Sequence, residues 1–90
     1  MPNQIDVNVP RHEVYVNGMR VFPTLKEFRL LHVLKSADGC VLTRDQLLTA
    51  VWKKRADSRT VDQHIARLRK KIGADAIETV AGLGYKFSGV

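Results

Sequence analysis

Hydrophobic residues first alternate and then recur at helical spacing. In IDVNV (5–9), Ile5, Val7 and Val9 fall on every second position, the period of a strand with one buried face. EVYVNGMRV (13–21) places two β-rich runs around Asn17-Gly18. That pair tolerates the positive φ angles of a type I′ turn, so a hairpin is expected. Pro10 separates this hairpin from the first strand, and together the strands predict a small antiparallel sheet.

Beyond Phe22-Pro23 the period changes. Leu25, Phe28, Leu31 and Leu34 recur at three-residue steps and predict a helix over about 25–37 with these four as its core stripe. Thr24 and Glu27 have capping-box spacing, and Asp38-Gly39 suits a left-handed stop. Cys40-Val41-Leu42 suits a short bridging strand. Thr43 and Gln46 form a second capping box, with Leu42 and Leu47 spaced as a staple. The helix that follows should bury Leu47, Leu48, Val51 and Trp52. A polar connection, KKRADS (53–58), leads to a third helix from Ser58 or Arg59 to Ile72, stopped by Gly73. AIETV (76–80) and YKFSGV (85–90) read as two strands around AGLG. The order is α+β: an N-terminal antiparallel sheet, three helices and a C-terminal β-hairpin.

The third helix has two distinct faces. At about 100° per residue, Val61, Ile65, Leu68 and Ile72 lie within roughly 60° of one another and form a narrow packing stripe. Opposite them lie Arg59, Gln63, Ala66, Arg67 and Lys70. Thr60, His64 and Lys71 flank one side; Asp62 and Arg69 flank the other. A merely solvated face would interleave acids and bases at i,i+4, but Asp62 is the one acidic residue in RTVDQHIARLRKKI.

The net charge of +6 is uneven. Residues 1–45 carry six Lys/Arg against five Asp/Glu, whereas 46–90 carry nine against four. Such asymmetry points to a polyanionic partner, nucleic acid before membrane. Arg67 and Gln63 are side-chain types that pair bidentately with guanine and adenine edges, and Arg59, Lys70 and Lys71 could neutralise phosphates. The 90 residues suffice for one core without disulfides. One cysteine, Cys40, precludes an internal disulfide and fits a reducing cytosol. No apolar run is long enough to span a bilayer, and no membrane partner is expected. His12, His32 and His64 lack metal-ligand spacing, and no nucleophile–base cluster or phosphate loop supports an enzyme. Neither a metal nor a cofactor is expected. Tyr85 and Phe87 should pack the terminal hairpin onto the body.

TLKEFRLLHVL (24–34), LTRDQLLTAVW (42–52), RTVDQHIARLRKKI (59–72) and ETVAGLGYKF (78–87) occur in the order and spacing of one known family. The chain resembles the OmpR/PhoB-type response-regulator DNA-binding domain along nearly its whole length. Its most specific motif is R-T-V-D-x-H-I-x-x-L-R-K-K followed by T-V-x-G-x-G-Y. The resemblance implies a winged helix-turn-helix: an N-terminal four-stranded sheet, three helices with 59–72 as recognition helix in the major groove, and hairpin 76–88 as a wing reaching the minor groove. It implies a cytoplasmic transcription regulator, residues 1–90 being the effector domain of a longer chain with an N-terminal receiver phosphorylated on Asp. It further implies head-to-tail homodimers on direct DNA repeats and contact with RNA polymerase through 53–58.

Carried over by position, Arg59 and Thr60 would contact the DNA backbone, and Gln63 and Arg67 would read bases. His64, Arg69, Lys70 and Lys71 would be phosphate or flank contacts. Thr79 and the Gly82–Gly84 turn would hold the wing tip, with Lys86 nearby. Three positions depart from the family. Ala81 stands where an arginine commonly enters the minor groove. Gln63 replaces a common valine, which shifts base preference toward adenine. The 53–58 connection is short. The alternative reading is a winged-helix module for protein–protein interaction or dimerisation. RNA or single-strand binding is disfavoured, because the basic face lacks exposed aromatics.

Overall fold

A computed structural model describes residues 3–52 and 57–89. Strands β1 (Ile5–Asn8), β2 (Glu13–Val16) and β3 (Met19–Val21) form an antiparallel sheet in the order β1-β2-β3. Ile5 pairs with Val16 and Val14 with Val21, so apolar residues line the face turned to the core. Asn17 (φ 52°) and Gly18 (φ 83°) both lie in the left-handed region, as a type I′ turn requires. The Asn17 amide group donates to Asn3 Oδ1 at 3.0 Å, and Asn3 Nδ2 donates to the Ile72 carbonyl at 3.0 Å. The hairpin turn is thereby linked to the end of the third helix.

Helix α1 (Leu25–Ser36) has the full capping box: Glu27 N–H donates to Thr24 Oγ1, and Thr24 N–H to Glu27 Oε1. Of the expected stripe, Phe28, Leu31 and Leu34 are buried, but Leu25 is 51% exposed, and Leu30 and Glu27 are buried as well. Three-residue steps lag the helix by about 60° each, so Leu25 and Leu34 end up on opposite sides. Glu27, Leu30, Leu31 and Leu34, spaced i, i+3, i+4, i+7, are the inner line. Asp38 (φ 52°) and Gly39 (φ 84°) make the left-handed exit after the Ala37 cap.

Strand β4 (Leu42–Thr43) runs directly into α2 (Arg44–Trp52), whose capping box joins Thr43 and Gln46 reciprocally at 2.8 and 3.0 Å. Cys40 is exposed and precedes β4 instead of forming part of it. α2 buries Leu47, Leu48 and Val51, with Trp52 half-buried. Lys53 to Ala56 lie outside the described residues, and most of the expected polymerase-contact segment falls there.

Helix α3 (Arg59–Ile72) leads through a 3-10 turn (Ala74–Ala76) to β5 (Ile77–Val80) and β6 (Gly84–Phe87). The second sheet has the order β4-β6-β5. β4 therefore pairs with the terminal hairpin, and the described N-terminal sheet has three strands, not the four implied by the resemblance. A Cβ at Gly84 would sit 2.0 Å from the Leu42 carbonyl oxygen, so glycine is what allows β4 to lie this close. One core unites the whole: Ile5 and Val14 from the first sheet, leucines of α1 and α2, the α3 stripe, and Ile77, Tyr85 and Phe87 from the second.

Candidate nucleic-acid interface

α3 owes its orientation to its apolar stripe. Val61, Ile65, Leu68 and Ile72 are all fully buried, as the periodicity requires. The first turn is capped by Asp57, whose Oδ1 accepts the Arg59 amide at 2.9 Å. The last turn ends at Gly73, whose φ of 101° few other residues adopt. A side chain there would also strike Asn3.

With the stripe buried, Arg59, Gln63, Ala66, Arg67 and Lys70 are exposed on the opposite side. Arg59, Gln63 and Arg67 stand one above the other, about 6 Å apart along the axis. Among the described residues, the side chains of Gln63, Arg67 and Lys70 make no hydrogen bond or ion pair. Arg59, 82% exposed, makes Nε and Nη2 bonds of 3.0 and 2.8 Å to Asp57 Oδ2. This contact holds the Asp57 carboxyl below its usual range and raises the guanidinium, and water screens it.

The flanking residues are engaged internally. On the α1–α2 side, Lys71 Nζ lies 2.6 Å from Glu27 Oε1. Glu27 is 1% exposed. Burial pushes its carboxyl up, but Lys71 and the Thr24 amide outweigh this and hold it below its ordinary value. His64 Nδ1 meets the Thr60 carbonyl at 2.8 Å, and its ring stands edge-on to Trp52 at 5.0 Å. Trp52 is thus a packing partner of α3, with Lys26 Nζ 5.7 Å from its ring centre. Thr60 is half-buried on this flank.

On the hairpin side, Arg69 donates from Nε and Nη2 to the Ile77 carbonyl at 3.1 and 2.8 Å, and from Nη2 to Thr79 Oγ1 at 2.7 Å. Asp62 Oδ1 accepts Arg44 Nε at 2.8 Å and the Tyr85 hydroxyl. Burial raises the Asp62 carboxyl, while Tyr85 and Arg44 pull it below its ordinary value. The same burial and the Asp62 charge push the Tyr85 phenol up.

In the hairpin, Ile77 opposes Phe87 and Thr79 opposes Tyr85, so these four share the face turned to α3. Glu78 and Lys86 oppose each other on the other face, joined at 3.1 Å. Lys86 therefore points away from α3. The tip, Ala81-Gly82-Leu83, is exposed and uncharged, with Leu83 58% exposed.

The structure thus gathers Arg59, Gln63, Arg67 and Lys70 onto one open face, with Thr60 at its border. It places Lys71, Arg69, Thr79 and Lys86 in internal contacts. Lys71 and Arg69, expected as phosphate or flank contacts, each have an acceptor of the protein itself within reach. Asp62, Arg44 and Tyr85 were not foreseen as one cluster. The lone acid in a basic helix, on the same flank as Arg69, was the available signal. His12 stacks on Phe28 at 4.8 Å, and no metal-type cluster occurs among the described residues.

Residues 18–87 match the protein family described as "Transcriptional regulatory protein, C terminal". The sensory transduction protein RegX3 of Mycobacterium tuberculosis is 46% identical, over 94% of this chain and 40% of its own length. The chain thus spans about two fifths of that relative. The response regulator AdeR DNA-binding domain, crystallised in complex with an intercistronic region, superposes with a TM-score of 0.88 at 26% identity, covering 100% of this chain and 99% of that one. The Klebsiella pneumoniae RstA DNA-binding domain, in complex with the RstA box, gives 0.85 at 29% identity, covering 97% and 93%.

Proposed function

From the premise that the chain belongs to the family of transcriptional regulatory protein C-terminal domains, we propose that it binds duplex DNA sequence-specifically, as the effector domain of a two-component regulator. Regulation of transcription, not catalysis, is the role of this domain. The observation that carries the reading is the open face of α3. Two side chains suited to base edges, Gln63 and Arg67, stand between cations at either end, opposite a fully buried stripe.

Docked in a major groove, Arg67 offers a planar fork to guanine O6 and N7, and Gln63 offers an amide to adenine N6 and N7. Arg59, Thr60 and Lys70 take backbone phosphates, Arg59 exchanging the exposed Asp57 carboxylate for phosphate oxygens. His64 borders the same surface. Thr79 and Lys86 act through the hairpin: Thr79, bonded to Arg69, holds β5 two residues before the tip, and Lys86, paired with Glu78, lies on the far side of the hairpin. The uncharged tip adds backbone and shape contact at the minor groove, not an arginine.

The length of the relatives supports a further domain in the whole protein, which we take as an Asp-phosphorylated receiver in a cytoplasmic regulator. Homodimers on direct repeats and polymerase contact through 53–58 belong to the same reading. Among the described residues no helix is long and apolar enough to cross a membrane.

Selection from a random duplex pool tests the reading. A recurrent motif is expected, and Arg67→Ala should make one base position of it degenerate. A pool left unenriched at low salt would overturn sequence-specific binding.

A further inference from the structure

Four elements meet at Tyr85. Two guanidinium groups lie against its ring, the Arg44 and Arg69 carbons each 5.4 Å from its centre. Its hydroxyl donates to Asp62 Oδ1, which also accepts Arg44 Nε. Arg69 grips the other hairpin strand through the Ile77 carbonyl and the Thr79 hydroxyl. The start of α2, one flank of α3 and both strands of the hairpin are thus tied by one set of contacts around a ring only 5% exposed.

We propose that Asp62, Arg69 and Tyr85 are positioning residues that fix the angle between α3 and the wing, and that Arg69 serves the wing and not a phosphate. This rests on the duplex-binding reading above. Three of the five N–H directions of Arg69 are already directed at wing oxygens, and a planar fork suits a carbonyl beside a hydroxyl as a lysine ammonium does not. The wing tip carries no charge, so its contribution to DNA affinity depends on where its backbone is held. A wing set at the right angle before DNA arrives adds contact without an ordering cost. Asp62 completes the arrangement. As a carboxylate it draws Tyr85 from β6 and Arg44 from α2 to the same oxygen, which a neutral side chain could not do as strongly.

Amide spectra of the free protein and duplex titrations over a range of salt test this with Arg69→Gln, Arg69→Lys and Tyr85→Phe. All three should shift amide resonances across 77–87 while those of Gln63, Ala66 and Arg67 stay in place. Arg69→Gln and Arg69→Lys should both weaken duplex binding by roughly tenfold, with an unchanged log–log salt slope. Full affinity in Arg69→Lys would overturn the proposal, because any cation would then suffice. So would a slope reduced by about 0.9 in Arg69→Gln with wing resonances unmoved, the mark of a lost phosphate contact. If the wild-type chain fails to bind duplex at low salt, the DNA reading falls, and the wing shifts still decide the positioning claim.

Discussion

Lys70 and Lys71 are adjacent in sequence and about 100° apart around α3. Lys70 is exposed; Lys71 reaches across to a buried carboxylate on α1. Arg67 and Arg69 repeat the contrast: one faces solvent, the other binds the hairpin. The residue types are the same, and the difference is whether the fold brings an acceptor within reach. A basic helix is therefore not a uniform basic surface. Its outward face holds charge available to a partner, and its flanks use charge to hold the helix and the wing in place.

Changes on the flank should register in stability, and changes on the outward face in binding. The largest effect on folding is expected for Lys71→Ala, about 2–3 kcal/mol in a urea melt, because it leaves Glu27 buried without its cation. Arg67→Ala should cost about 1–3 kcal/mol on a selected duplex site. Its effect on stability should stay within about 0.5 kcal/mol. A stability loss as large as that of Lys71→Ala would erase the distinction between face and flank.

Acid should act through the flanks as well. Glu27 and Asp62 both have carboxyls lowered in the folded state. Their contribution is fully present above the unfolded values of about 4.3 and 3.9, and is lost as pH falls through the lowered folded values. Glu27→Gln should flatten the acid limb of stability against pH, measured by urea melts between about pH 2 and 6. The smallest effect is expected for Lys70→Ala: similar weakening on all duplexes and little change in folding.

What could be read along the chain was local. Both capping boxes, the Asn17-Gly18 turn and the α3 stripe depend on residues within one or two turns of each other, and the structure has them all. In α1, Phe28, Leu31 and Leu34 of the expected stripe are buried, but a strict three-residue step drifts round the helix, which puts Leu25 outside and hides the burial of Glu27. The partners of Lys71 and Arg69 could not be read at all. Glu27 is 44 positions from Lys71, and the hairpin meets α3 only after the chain has turned back. Ion pairs of this kind follow from tertiary packing, not from spacing. For the candidate interface, the outward residues were legible as a face, whereas which flanking cations were already engaged was not.

The most direct measurement compares the salt dependence of duplex affinity for the wild type, Lys70→Ala and Lys71→Ala at a pH where all three are folded. A steep wild-type slope is expected, with a loss of about 0.9 in log–log slope for Lys70→Ala and none for Lys71→Ala. A wild-type affinity indifferent to salt, or equal losses in the two variants, would remove the distinction between the outward face and the flank.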